Sequence, residues 1–251
     1  MPRKPSSNLA PAPPTEPARL LHLDDRLAVI SKPSGLSLAT PRSAPEQAVE
    51  RLRGALSEAE RALLQGPLWL VHRLDVGTSG LVAVARDAEM HRELVGAFGE
   101  RRVRKNYRAL VWGHPRPREG VFDAALGPDR QDRRRMATDP SGRSARTRYR
   151  VLEVAPHVAL VELEPETGRT HQIRVHLASA GHPVVGDDLY GGPRHHGVRD
   201  RRVRALLDPA HTLLHALRLT LPAPPLRGTL ELEAPLPGAF LSALAAVGMA
   251  A

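Results

Sequence analysis

The apolar residues of this chain come in short stretches, each closed off by glycine, proline or charge, and no run reaches the 18 residues a membrane-spanning helix needs. Such segments hide their apolar side chains only when several are collected into a sheet with helices laid against it. With 251 residues and 41% hydrophobic content, the chain can fill a sizeable core. Cysteine is absent, which excludes disulfides, thiolate metal sites and a cysteine nucleophile. Any nucleophile is oxygen or nitrogen. The N-terminus is Pro-rich and polar rather than a charged stretch followed by an apolar one, so the sequence reads as soluble, unexported and cytoplasmic.

Residues 1–18 carry no apolar periodicity and are expected to be disordered, leaving 19–251 as one domain. Leu27 to Ser31 reads as a strand followed by the turn Lys32-Pro33-Ser34-Gly35. Apolar residues at three- and four-residue spacing predict a helix over 44–65. Leu68 to Val71 and Leu81 to Ala85 read as extended segments flanking the polar turn His72 to Gly80. Asp87 is placed to cap a helix over 87–98, and Arg104 to Trp112 reads as a strand. Val121 to Val154 is strand and loop, and Val158 to Leu163 alternates as a strand. Thr170 to Ala180 reads as a helix closed by Gly181, and His211 to Glu233 as two strands about a Pro-rich turn at 222–225. The expected fold is α+β, with a central mixed, largely antiparallel sheet flanked by helices and loops. Internal repeats and dinucleotide or Walker-type glycine loops are absent.

The net charge of +9 fits a polyanionic partner, because arginines that neutralise phosphates release condensed counterions. Only Lys4, Lys32 and Lys105 are lysines, so the positive charge is nearly all arginine, which genome composition also produces. The charge clusters at 101–105, 133–135, 143–150 and 199–204, and each cluster reads equally as a solvated face. The stretch from Arg194 to Arg204 is either an added RNA contact or a disordered, solvated loop.

Asp75 stands in the segment His72-Arg73-Leu74-Asp75-Val76-Gly77-Thr78-Ser79-Gly80. Spacing alone favours ordinary turn chemistry, an Asx-turn or a cap. The nonapeptide nevertheless resembles the HRLD-x-x-TSG signature of RluA-type pseudouridine synthases, and other segments agree in order. Lys32-Pro33-Ser34-Gly35 resembles that family's KP-x-G turn, and Lys105-Asn106-Tyr107-Arg108-Ala109 its K-x-Y-x-A strand. The longest match runs from Pro165 to Gly191 through Thr167-Gly168-Arg169-Thr170-His171-Gln172-Ile173-Arg174, and Leu214-His215-Ala216 closes the set.

The resemblance implies a pseudouridine synthase catalytic fold and an RNA-modifying isomerase acting on uridines of ribosomal or transfer RNA. It implies no cofactor and no metal, and RNA as the partner, without membrane, for a monomer. It makes Asp75 the catalytic carboxylate, acting as nucleophile or as base, two roles the sequence leaves open. A carboxylate in a water-excluding pocket needs a nearby cation to stay ionised, and by resemblance that cation is Arg174. Tyr107 is assigned to stack on the target base, and Leu214 to wall the pocket, where an ordinary core leucine would look the same. Arg73 is assigned to enter the RNA stack in place of the extruded nucleotide, and Lys105, Arg169 and His171 to contact RNA. The small N-terminal RNA-binding domain of many relatives has no counterpart among these residues.

Metal binding through His171 and His176, or through His195 and His196, is disfavoured by spacing and by the lack of an H-E-x-x-H pattern. Ser79 lacks the G-x-S-x-G elbow of hydrolases. Two other classes remain for comparison, a non-catalytic RNA-binding factor and a base-excising or phosphoryl-transferring enzyme. The latter wants a positioned water or metal-binding carboxylates rather than one aspartate in basic and apolar company.

Overall fold

A computed structural model describes residues 13–14, 16–41, 43–223 and 228–250. Residues 1–12 and 15, which make up most of the Pro-rich segment, lie outside the described residues, as do 224–227 of the Pro-rich turn. The first half of the chain forms β1 (Arg19–Leu23), β2 (Leu27–Lys32), α1 (Glu46–Gly54), α2 (Glu58–Leu63), β3 (Trp69–Leu70), β4 (Ser79–Ala85), α3 (Ala88–Gly99) and β5 (Arg104–Trp112). It continues with β6 (Glu119–Asp123), β7 (Leu126–Pro128), β8 (Met136–Thr138), β9 (Arg146–Val154), β10 (Val158–Pro165) and α4 (Gln172–Ser179). After a 3₁₀ turn at Arg194–Gly197 come α5 (Arg201–Leu206), β11 (Leu214–Ala223), β12 (Gly228–Glu233) and α6 (Gly238–Ala246).

Ten strands make one sheet in the order β1-β2-β4-β11-β5-β10-β9-β6, with β3 added to β4 and β12 to β11. Every pairing is antiparallel except β4 with β11, where Ser79 faces His215 and Gly80 faces Ala216. This parallel seam places the end of the His72–Gly80 turn beside the start of β11. Strands β7 and β8 form a separate hairpin.

Both faces of the sheet are covered, which explains why β4 is apolar at nearly every position. Val82 and Val84 pack with Ile30 and with Leu52 of α1, while Leu81 and Ala83 pack with Met90 and Leu94 of α3. In the other half, Ala109 and Val111 meet Ile173 and Leu177 of α4, whereas Leu110 and Trp112 meet Phe240 and Leu244 of α6. Each larger aliphatic side chain buried here, valine, leucine, isoleucine or methionine, contributes roughly 1.5–3 kcal/mol relative to exposure. The sheet is therefore held from both sides near its centre, where the turn leaves it.

The expected α+β class and the mixed, mostly antiparallel sheet are present. The helix expected over 44–65 is two helices, because Ser57 caps a new start, its side chain accepting the Glu60 N–H while Glu60 reaches back to the Ser57 N–H. Apolar spacing carries through the break and conceals it. The Pro-rich segment meets the body before residue 19: Ala18 is buried with its N–H on Ala55 O at 2.9 Å, and a Glu16 carboxylate oxygen accepts the Gly238 N–H at 2.8 Å. The stretch 194–204 is ordered rather than a disordered loop: it forms the 3₁₀ turn and most of α5, anchored by buried Val198 and capped by Asp200, with Arg194, Arg199, Arg201 and Arg202 exposed. These elements pack with α6, in the cluster opposite the one α4 joins. On β9, Thr147, Tyr149 and Val151 point inward, while Arg148 and Arg150 pair with Glu166 and Glu162 at 2.6 and 2.9 Å. Much of the third arginine cluster is thus a salt-bridged outer face.

Candidate active site

Asp75 lies in a turn whose backbone is tied down from several directions. The Thr78 N–H donates to Asp75 O at 3.1 Å, the Gly35 N–H to Val76 O at 2.8 Å, and the Thr212 hydroxyl to Gly77 O at 2.7 Å. Lys32 is fully buried, and its Nζ donates to Pro33 O, Leu36 O and Val76 O at 2.8, 3.1 and 3.4 Å. Three carbonyls use its three donors. Burial lowers the Lys32 ammonium to about 7, against the opposing pull of Asp75. His72 accepts the Ala83 N–H on Nε2 at 3.0 Å and stacks on Phe98 with ring centroids 4.7 Å apart. Burial, with Lys105 nearby, pushes it down to about 3, so it stays a neutral strut. Gly80 closes the turn at φ 113°, a conformation L side chains rarely adopt. A Cβ there would stand 2.2 Å from Ala216 O. The seam between β4 and β11 requires glycine.

Arg174, on the buried side of α4, faces the turn. Its Nε and Nη2 bind the two oxygens of Asp187 at 2.7 and 2.8 Å, and its Nη1 reaches Asp75 Oδ2 at 3.3 Å. The Asp187 side chain has no exposure and that of Arg174 is 9% exposed, whereas Asp75 is 27% exposed and opens to the cleft. Burial alone would lower Arg174, but Asp187 and then Asp75 hold it above the ordinary guanidinium range. The cation is therefore fixed, and one edge of it is left for Asp75.

His171 precedes α4 in the left-handed conformation, φ 57°, with Nε2 4.0 Å from Asp75 Oδ2 and Nδ1 2.8 Å from the Tyr190 hydroxyl. Burial pushes this imidazole down against the pull of Asp75, and Arg174 adds to the depression. The strained turn is stitched by Gln172, whose Oε1 accepts from the Thr167 hydroxyl and the Arg169 N–H at 2.7 and 3.0 Å. Its Nε2 donates to Arg146 O and the Thr147 hydroxyl, both at 2.9 Å. All four capacities of the amide are used, which accounts for glutamine at this place.

Asp75, Arg174, His171, Gln172 and His72 line a cleft of ≈ 860 Å³. Tyr107 and Leu214 form apolar wall beside Asp75; Leu214 is 3% exposed and also belongs to the core cluster under α4. Burial, with Asp75 adding, raises the Tyr107 phenol, which stays protonated. Arg73 is exposed on the turn, and Lys105 lines the cleft with its ammonium lowered by burial. Arg169 donates from Nε to Ser144 O at 3.0 Å, and burial, with Arg143 and Arg101 nearby, pushes its guanidinium below the ordinary range. All eight residues singled out in the sequence meet at this one cleft.

Sequence reasoning missed Lys32 as the brace of the turn, Asp187 and Tyr190 behind Arg174, and the convergence of Arg101 and Arg143 on Arg169. Asp187 and Tyr190 stand inside the longest motif, but their roles depend on a tertiary contact that spacing does not reveal. Glu166 is the cleft's other carboxylate and pairs with Arg148. The arrangement therefore offers one carboxylate fixed beside a cation, a protonated phenol and apolar wall for a planar group, and arginines at hand for phosphates.

A family model described as RNA pseudouridylate synthase matches residues 26–179. The dual-specificity RNA pseudouridine synthase RluA of Escherichia coli strain K12 is 38% identical over 226 residues, which cover 89% of this chain and 95% of that protein. An uncharacterized RNA pseudouridine synthase of Chloroflexus aurantiacus is 47% identical over 168 residues; this match covers 67% of the chain and 50% of the relative's length. Among solved structures, human RNA pseudouridylate synthase domain containing 4 matches with a TM-score of 0.70 and 30% identity, over 91% of this chain and 92% of that one.

Proposed function

Because the chain belongs to the RNA pseudouridylate synthase family, and is on that ground an isomerase acting on RNA, we propose that Asp75 converts selected uridines of ribosomal or transfer RNA to pseudouridine in this cleft. The observation that carries the assignment is the Asp75 carboxylate, 3.3 Å from an Arg174 that Asp187 already holds from behind. Isomerisation breaks the bond from N1 of uracil to C1′ of ribose, turns the base, joins C5 to C1′ and releases the C5 hydrogen as a proton. One ionised carboxylate serves, whether it adds to base or sugar or removes a ribose proton. Arg174, 3.3 Å away and held by Asp187, supplies a fixed cation beside that carboxylate.

The target base enters the cleft by extrusion, stacks on Tyr107 and meets the apolar wall at Leu214. Stacking of this kind is worth roughly 1–3 kcal/mol per base. Arg73, exposed one residue before Leu74, fills the gap left in the RNA stack. Lys105, Arg169 and His171 complete the RNA-facing surface, and Arg101 and Arg143 join Arg169 to receive backbone phosphate. All these residues come from one chain, which supports action as a monomer, and an RNA substrate is compatible with work in the cytoplasm. Among the described residues no helix is long and apolar enough to cross a membrane.

The test uses purified protein and transcripts labelled with tritium at C5 of uridine. Pseudouridine formation releases tritium to water, one for each site converted, in the presence of a chelator. Asp75→Asn protein binds the transcript but releases none. Free uracil in place of pseudouridine would replace this reading with base excision.

A further inference from the structure

Tyr190 is not among the residues that line the cleft, yet it touches three parts of the machinery around it. Its hydroxyl accepts the Met136 N–H from β8 at 2.8 Å and lies 2.8 Å from His171 Nδ1. Its ring lies 5.0 Å from the Arg174 guanidinium and 5.2 Å from that of Arg135. Asp187, which grips Arg174, also accepts the Tyr190 N–H at 3.3 Å.

The protons can be placed from these contacts. A phenol has one proton to donate, and Met136 N–H can only donate. Of the hydroxyl's two partners among the described residues, only His171 Nδ1 can accept that proton. A neutral imidazole accepting on Nδ1 carries its hydrogen on Nε2. That nitrogen faces Asp75 Oδ2 at 4.0 Å.

We propose that Tyr190 is a positioning residue, which fixes His171 as the Nε2–H tautomer facing Asp75 and joins the seating of the β7–β8 hairpin to the charge of the reacting carboxylate. The inference rests on the isomerase reading above. Asp75 then has a guanidinium on one side and an imidazole N–H on the other. Burial pushes the imidazole down, so its Nε2–H stands 4.0 Å from Asp75 Oδ2 as a dipole beside the carboxylate rather than as a second cation competing with Arg174. The hairpin carries Arg130, Arg133, Arg134 and Arg135 next to Met136, and RNA that draws it aside would remove one hydroxyl partner and one ring contact from Tyr190. Because the phenol acts through another side chain, losing its hydroxyl alters turnover and leaves the cleft wall intact.

Nitrogen-15 NMR of the histidine rings in the full protein, with the His171 signals identified from a His171→Gln sample, tests this without RNA. The expected wild-type pattern is neutral His171 protonated on Nε2, and in Tyr190→Phe the Nδ1–H form becomes populated. A wild-type ring protonated on Nδ1 would overturn the proposal, as would one unchanged by Tyr190→Phe. On RNA, Tyr190→Phe lowers kcat about tenfold, the scale of one oriented hydrogen bond, with KM and RNA affinity unchanged. His171→Gln keeps an N–H for Asp75 that needs no phenol, so adding Tyr190→Phe to it costs little further. Multiplying losses in that double variant would show that Tyr190 acts by another route. Failure of the wild type to isomerise RNA would instead strike the functional reading, since the tautomer is read on protein alone.

Discussion

Replacing Arg174 by methionine separates what the guanidinium does for folding from what it does for chemistry. The substitution leaves the Asp187 carboxylate with no exposure and, of its charge-assisted partners, only the Tyr190 N–H at 3.3 Å. At an effective dielectric constant near 20, charges ~4 Å apart attract by about 4 kcal/mol, and breaking a buried pair from one side costs roughly 3–5 kcal/mol. A chain of this size loses about 2–4 °C in melting temperature per kcal/mol, so the expected fall is roughly 6–20 °C. Changing Asp187 to leucine as well removes the orphaned charge, and apolar replacement of a whole buried pair is often neutral. The double variant is therefore expected within about 1–2 kcal/mol of wild type while remaining inactive, because Asp75 has lost its cation. Thermal and urea unfolding followed by circular dichroism, beside tritium release from RNA, reads both quantities. A single variant as stable as wild type, or a stable double variant that regains turnover, would refute the reasoning.

Three further outcomes follow from the same geometry. Gly80→Ala combines φ 113° with a Cβ 2.2 Å from Ala216 O, and is expected to cost more than ~3 kcal/mol or to prevent folding; a urea midpoint close to wild type would show that the seam can open. Burial lowers His215 to about 4 and His72 to about 3, so between pH 6.5 and those values the unfolded chain binds protons that the native one refuses. Stability is complete above pH 6.5 and falls on acidification, by roughly 1–2 kcal/mol for His215 at pH 5, and a urea midpoint unchanged between pH 7 and 5 would contradict this. Arg73→Ala is expected to weaken capture of a uridine in a paired stem more than of one in an open loop, as measured by Kd for matched transcripts. Equal losses would remove Arg73 from base extrusion.

Much of the fold was legible in the sequence, because its strands and caps are locally written. Asp87 caps α3 by accepting the Met90 N–H at 2.7 Å, as its place before an amphipathic run indicates. Strands β4, β5 and β10 coincide with short apolar stretches between turn residues. The split between α1 and α2 was hidden because helical apolar spacing persists across Gly54 to Ser57. Helix α6 was missed because Gly238–Ala246 is apolar on nearly every side and lacks a polar face to mark its period. At the site, the eight cleft residues that stand in the motifs could be named in advance. Their supports could not: Lys32 ties its own turn to Val76 O, 44 positions away, and Asp187 and Tyr190 act through contacts thirteen to nineteen positions away. The arginine clusters showed the opposite limit. Composition marks them all alike, and only the fold separates Arg101 and Arg143 at the cleft from Arg148 and Arg150 paired on β9.

The most direct test of the central claim is made in the host organism. The gene is deleted, total RNA is treated with a pseudouridine-selective carbodiimide, and reverse-transcription stops are mapped against wild type. The account predicts that at least one stop disappears, that the wild-type gene restores it and that the Asp75→Asn gene, expressed to the same level, does not. Restoration by Asp75→Asn would contradict the assignment of the carboxylate, and an unchanged map from cells that normally express the protein would contradict the modification of RNA itself.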